Sequence, residues 1–133
     1  MKMTVAEIRT QYLRLAEVVA EKKLFKSTVN FAIAKNYSRL EKEVKSADEA
    51  MKSYVESFVK KDASGNPEIK DKQYIFETAE DKASYVAAMQ ELEKVETDIE
   101  IITVKQELLE TEDEKLDKPT AADLIAMEFM TEA

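Results

Sequence analysis

Between Ser27 and Lys61 the apolar residues Ile33, Tyr37, Leu40, Val44, Ala47, Met51, Tyr54 and Phe58 recur in alternating steps of four and three. That is the heptad spacing of a helix with one apolar seam, and no Gly or Pro interrupts it. The pattern predicts a single long helix over 27–61 with coiled-coil character, and the rest of the chain reads as cover for its seam. Ser46 and Glu49 also form a capping-box pattern at which the helix could stop and restart. The seam crosses that point without a change of phase, which favours continuity.

A second amphipathic pattern precedes it. Val5, Ile8, Tyr12, Leu15 and Val19 follow at helical steps, with Arg9, Arg14, Glu17 and Glu21 opposite. Thr4 and Glu7 make a capping box at its start, so a helix is expected over 4–22. Residues 23–26 form a corner, with Leu24 and Phe25 expected to tuck beneath it, and Ser27 is suited to cap the long helix. After the long helix, residues 62–67 (Asp-Ala-Ser-Gly-Asn-Pro) are the one strong turn signal. Two short strands are expected at 68–70 and 73–76, with Tyr74 and Phe76 on one face. A third helix follows from Thr78 to about Glu96, turning Tyr85, Met89, Leu92 and Val95 inward. Residues 98–104 are β-branched and partly alternating, and suggest a strand paired with 73–76. Residues 105–118 read as an acidic, mobile linker. Thr120, just after Pro119, caps a last helix ending near Met130.

Lengths restrict how these parts can pack. A helix over 27–61 spans roughly 50 Å at 1.5 Å per residue, whereas a compact domain of this size is roughly 36 Å across. The first and third helices, laid end to end along the long one, match its length. Two helices in contact at each level do not make a core, so a further layer must come from the strands, the last helix or a second subunit. The expected fold is therefore mainly α: a long central helix with antiparallel helices packed along it, plus a small two- or three-stranded β element. The 133 residues are expected to form one domain. Its segments are a helical hairpin (1–62), a β-turn-helix-strand stretch (63–104), the acidic linker (105–118) and the C-terminal helix (119–131).

Composition narrows the chemistry. The chain has no Cys and no His, which removes disulfides, thiolate nucleophiles and the commonest general base and metal ligand. The longest apolar run, 85–89, is far too short to span a bilayer, and no apolar signal-peptide core opens the chain. The net charge of −8 is unevenly spread: residues 1–62 carry +4, residues 63–104 carry −6 and residues 105–133 carry −6. An acidic half of that kind can neutralise a basic one, or imitate nucleic acid.

Several clusters of residues have a functional reading and a plain structural one. Glu110, Glu112, Asp113, Glu114 and Asp117 could attract a divalent cation, but without a nearby Gly turn they read better as a solvated linker. Asp62, Ser64, Asn66 and Glu68 have calcium-ligand chemistry but too few ligands for a calcium loop, and favour an ordinary turn. Arg9, Arg14, Lys22, Lys23, Lys26, Lys35 and Arg39 could meet phosphates, yet no interleaved aromatics or recognition helix accompany them. Tyr12, Tyr37, Tyr54 and Tyr85 lie on the seams and read as core or interface before they read as a ligand pocket. Leu124, Ile125, Met127, Phe129 and Met130 follow the acidic stretch and would dock in a groove of their own domain or of a partner. No catalytic constellation, cofactor site or metal site emerges. The candidate interaction residues are Tyr37, Val44, Met51, Tyr54, Phe58, Leu124, Met127 and Phe129.

Four stretches together carry a resemblance. They are Val29-Asn30-Phe31-Ala32-Ile33-Ala34-Lys35-Asn36, the Asp62–Asn66 turn before a short strand, Asp98-Ile99-Glu100-Ile101, and the closing Thr120 to Met130. In that order they resemble a family of small uncharacterised proteins from phages and prophages of Gram-positive bacteria. The resemblance implies a phage context, a host bacterial cytoplasm as the location, and a phage or host protein as partner. It implies no catalytic or binding residues. The expected function is a non-enzymatic interaction protein, an assembly accessory or an inhibitor of a host or defence protein, with a homodimer through the seam as one form. The alternative is an acidic nucleic-acid mimic that blocks a DNA- or RNA-binding protein.

Overall fold

The computed structural model describes residues 1–133. Strand β1 (Lys2–Thr4) leads directly into helix α1 (Val5–Glu21). Thr4 caps α1, its Oγ1 accepting from Glu7 N–H at 3.1 Å while the hydroxyl donates to Glu7 Oε1 at 3.2 Å. The helix ends on Lys22 in the left-handed region (φ 51°), whose N–H reaches Val19 O. Helix α2 (Ser27–Phe58) follows and is unbroken through Ser46. Its first turn hangs on the Lys26 carbonyl, which accepts from Val29 and Asn30 at 3.0 Å each. Next come β2 (Ile69–Lys70), β3 (Gln73–Tyr74), α3 (Ala79–Glu93), β4 (Glu96–Asp98), β5 (Val104–Lys105), α4 (Ala121–Met127) and β6 (Thr131–Glu132), with 3₁₀ turns at Gln106–Leu109 and Glu128–Met130. The protein is mainly α with a minor β component, as its periodicity predicts.

The chain divides into two compact units, residues 1–44 with 96–133, and residues 45–95. The units cut across the segments drawn from the sequence, because α2 contributes its first part to one and its second part to the other.

The first unit holds most of the core. Ile8, Leu15 and Val18 of α1 meet Val29, Ala32, Ile33 and Leu40 of α2. The side-chain stripe of α1 is turned towards Val18 rather than Val19, which is left at the edge. Helix α1 contacts α4, and its buried residues join those of α2 in one cluster. Phe25 is buried in the corner as expected, but Leu24 is exposed. The further layer comes from the C-terminal half: Ile99, Val104, Leu109, Ala126, Met127 and Met130 complete the cluster.

The sheets differ from expectation. Residues 98–104 do not pair with 73–76. Instead β4 pairs antiparallel with β1, setting Met3 opposite Thr97, and β5 pairs in parallel with β6. The intervening 99–103 are not a strand at all. They are held by Asn36, which is fully buried: its Nδ2 donates to Ile102 O at 2.9 Å and its Oδ1 accepts from Ile102 N–H at 2.8 Å. The stretch read as a mobile linker is likewise anchored. Leu109 is buried, and Asp117 engages the corner, its N–H donating to Leu24 O at 2.8 Å and its Oδ2 accepting from Leu24 N–H at 2.6 Å.

In the second unit the turn behaves as its residues dictate. Asp62 Oδ1 accepts from Ser64 and Asn66 N–H at 2.9 and 3.0 Å, and Gly65 takes the positive φ of 82° that favours glycine. The chain then folds back on the end of α2, where Lys60 N–H donates to Ile75 O and Glu68 N–H to Lys60 O. β2 and β3 form a hairpin with Ile69 opposite Tyr74, turned by Asp71 and Lys72 at φ 53° and 63°. Tyr74 and Phe76 do share a face, and both pack on Tyr85 of α3 with ring centroids 5.7 and 5.5 Å apart.

Candidate protein-docking surface

The two units differ sharply in how much they bury. Of the eighteen buried hydrophobic residues, the second unit supplies three: Ala47, Met51 and Val59. Helix α3, capped at Thr78 by the Asp81 N–H, contains no buried residue. Val95, expected inward at its end, is exposed. Within residues 45–95 the covering residues Tyr74, Phe76, Tyr85, Met89 and Leu92 are half-buried rather than buried.

That leaves part of α2 open. At 100° per residue, the surface of α2 between Lys45 and Phe58 divides into three arcs. Ala47, Met51, Val55 and Phe58 face the unit's own interior. Lys45, Asp48, Glu49, Lys52 and Glu56 form a charged arc beside them. The remaining arc, about 100° wide, carries Ser46, Ala50, Ser53, Tyr54 and Ser57, all exposed and all uncharged. Tyr54 is 41% exposed and stacks on half-buried Phe58 at 6.0 Å between centroids. In a chain that is 36% charged, an exposed helical arc with no charge is where a second surface can approach without desolvating ions.

The charged arc lines a different feature. An open groove of about 740 Å³ runs between α2 and the 65–67 turn, with Tyr74 at its margin. Lys45, Lys52 and Lys61 in its wall are matched by Asp48, Glu49 and Glu56, so it presents no net charge to select an anion or a cation. No group of three or more acidic side chains converges as a metal site requires.

The eight candidate interaction residues separate into groups. Met51 and Met127 are 4% and 0% exposed and belong to the interior of the chain. Val44 is half-buried against the core cluster, as is Phe129. Tyr37 stacks on Tyr12 at 5.2 Å. The two hydroxyls are hydrogen-bonded at 3.4 Å, and Tyr12 donates to Glu41 Oε2 at 3.4 Å; the bond shared with Tyr37, burial and the Glu41 carboxylate push the Tyr12 phenol up to about 12. Tyr54 lies in the open arc, stacked on Phe58 beside it. Leu124, at 46%, and its neighbour Ile125, at 54%, face outward from α4.

The C-terminal helix is docked on its own chain. Thr120 and Asp123 form a reciprocal capping box, and the Asp123 carboxylate, 1% exposed, also accepts from Lys23 Nζ at 2.6 Å. Burial alone would raise that carboxylate, but the Lys23 ammonium and the Thr120 amide and hydroxyl outweigh it and hold it below its usual range. Lys23, bonded to Asp123 and to Glu21, is raised in turn. Periodicity does not single out Asn36, Lys23 or Asp123, because a polar residue buried for one specific partner leaves no periodic trace. The one signal available for Asp123 was its place three residues after the Thr120 cap.

No helix is long and apolar enough to cross a membrane. Comparison with protein families, curated proteins and solved structures finds no match to this chain.

Proposed function

We propose that this chain is a non-enzymatic protein-interaction protein whose docking surface is the uncharged arc of α2 from Ser46 to Ser57, anchored by Tyr54. One observation carries the reading: residues 45–95 provide three of eighteen buried hydrophobics and leave that arc open. A unit of about fifty residues is marginal on its own even when well packed, so a contact that adds a layer gains stability for both partners. Tyr supplies large contact area at low conformational cost. The phage context, a location in the bacterial cytoplasm, and the choice between assembly accessory and inhibitor of a host protein rest on the sequence resemblance alone.

The test is affinity capture from bacterial lysate with the wild-type chain and with Ala50→Lys, which places a charge in the middle of the arc. The reading predicts proteins retained by the wild type and lost from the variant. Identical retention by both, or none by either with the wild-type chain folded and monomeric, overturns it.

The acidic-mimic reading has the charge of residues 63–133, −12, in its favour. It is weakened where those carboxylates are already engaged: Asp113 and Asp117 accept backbone N–H groups and Asp123 is held by Lys23. Mimicry predicts binding that collapses between low and moderate salt, and an uncharged arc does not.

A further inference from the structure

The acidic character of the chain is reversed in one stretch. From Lys22 to Arg39 there are five cations, Lys22, Lys23, Lys26, Lys35 and Arg39, and no acid, in a chain whose net charge is −8. A cleft of about 290 Å³ opens in the same stretch, within the first unit, between the end of α1 and the opening turns of α2. Val18, Phe25 and Ile33, all buried, line it, with exposed Val19 and Ala34 at its margin.

Most polar groups of the cleft are engaged within the chain. Lys23 is held by Glu21 at 2.8 Å and by Asp123 at 2.6 Å. Asn30 Nδ2 donates to Phe25 O at 3.2 Å, and the Tyr37 hydroxyl is bonded to that of Tyr12. Lys22 differs. It lines the cleft, is exposed, and has no carboxylate partner, because Glu21, its neighbour in the chain, is taken by Lys23. Lys35 lies nearby on α2, over the Phe31 ring at 5.8 Å from its centroid.

We propose that this cleft binds a small anion with an apolar body, of the acyl or aryl carboxylate class. Its hydrocarbon lies on Val18, Phe25 and Ile33, and its carboxylate meets Lys22. The size follows from the volume: at about 30 Å³ per water-sized group, the cleft holds roughly ten non-hydrogen atoms, the size of an eight-carbon acid. The sign follows from the cations, whose attraction is strengthened beside low-dielectric walls. A concave, mainly apolar site with a few placed polar groups is the usual form of a small-molecule site. The other clefts lack this combination. The large groove of the second unit is walled by both signs of charge, and the cleft at 106–124 carries both Glu110 and Lys118. This site lies in a different unit from the α2 arc, so neither reading depends on the other.

Octanoate titrated into the full chain, followed by calorimetry and by methyl carbon–proton NMR, tests the proposal. The expected result is saturable one-to-one binding, with shifts confined to the methyls of Val18, Val19, Ile33 and Ala34. Octyltrimethylammonium, with the same apolar body and the opposite charge, should bind about tenfold more weakly, as should octanoate to Lys22→Gln, the change in each case being one charged contact. Ala34→Glu sets a carboxylate at the margin and should abolish binding with the far-ultraviolet circular dichroism unchanged. Should that variant unfold, Lys22→Gln at its exposed position carries the test, and an unchanged affinity overturns the proposal. Absence of saturable binding at millimolar octanoate overturns it too, as do equal binding of the two probes or shifts centred on Leu109 and Leu124. Sedimentation of the chain with phosphatidylglycerol vesicles, without octanoate binding, would assign the cations to a lipid surface and overturn the small-molecule site.

Discussion

Asn36 and Ile102 are joined by two hydrogen bonds, Nδ2 to the Ile102 carbonyl at 2.9 Å and the Ile102 N–H to Oδ1 at 2.8 Å. The amide thereby does for residue 102 what a neighbouring strand would do. It ties the 99–103 connection to α2, with Asn36 fully buried and Ile102 half-buried. Removing it leaves a half-buried N–H and C=O without that partner, each worth about 1–3 kcal/mol when unsatisfied. Asn36→Ala is expected to lose roughly 2–4 kcal/mol on that basis, read as a lower urea midpoint at unchanged slope. Asn36→Leu, which fills the volume, should rescue little, because the loss lies in the two backbone groups rather than in the space.

The Lys23–Asp123 contact makes a different prediction, in pH. Asp123 is held below its unfolded value, so its contribution is full above that value and is lost as pH falls through the folded one. Lys23 is raised, so its contribution is full below its unfolded value and is lost as pH rises through the folded one. Between these limits stability from the pair is flat. Urea unfolding from pH 2 to 7 should show an acid-side loss that Asp123→Asn flattens. The same variant should cost about 1 kcal/mol at neutral pH through the weakened cap. An acid limb unchanged in Asp123→Asn would place the acid sensitivity elsewhere.

Tyr12 carries the alkaline counterpart. Its phenol ionises near 12 in the folded chain against an unfolded value of about 10. The folded state therefore keeps a proton that the unfolded state releases, and stability falls as pH rises across that interval. Absorbance at 295 nm should show a late-ionising tyrosine that disappears in Tyr12→Phe and moves earlier in Tyr37→Phe.

The β2–β3 hairpin contains a correctable strain. Asp71 and Lys72 both adopt positive φ, as a two-residue type I′ turn demands, and Lys is poorly suited to that region. Lys72→Gly removes a left-handed penalty of about 1 kcal/mol and should raise the thermal midpoint by a few degrees. A lower midpoint would show that the Lys72 side chain has a stabilising contact.

How far the sequence is legible follows from which interactions leave periodic traces. The α2 seam was readable because Ile33, Leu40, Ala47 and Met51 repeat a spacing set by helix geometry. The caps at Thr4 and Thr120 were readable because each bond is local, three residues long. The Asp62 turn and the Tyr74–Phe76 face were local too. What escaped depends on pairs far apart in the chain. The strand partner of 96–98 is the first few residues, and nothing in 98–104 distinguishes that mate from 73–76. The acidic run before Pro119 looks solvated because its anchoring is one aspartate, Asp117, meeting the backbone of Leu24. For the docking surface, the Tyr54–Phe58 pair was legible as part of the seam. The uncharged arc beside it was not, because Ser and Ala at heptad steps carry no hydrophobic signal.

Helix α3 supplies the last prediction. It buries no residue, and Tyr85 gives it ring contacts with Tyr74 and Phe76. Local opening follows local packing, so amides within Ala79–Glu93 should exchange well before those of α1 and the first half of α2. Tyr85→Ala should abolish protection in α3 and the β2–β3 hairpin and leave the Ile8, Leu15 and Leu40 helices protected. The reverse case is informative as well: if α3 is as protected as α1, or if Tyr85→Ala lowers protection everywhere alike, the second unit does not open by itself. An arc shielded by a partner should also slow exchange at Ala50 and Ser53 in the wild type and release it in Ala50→Lys. Hydrogen exchange thus reads the fold and the docking surface in one experiment.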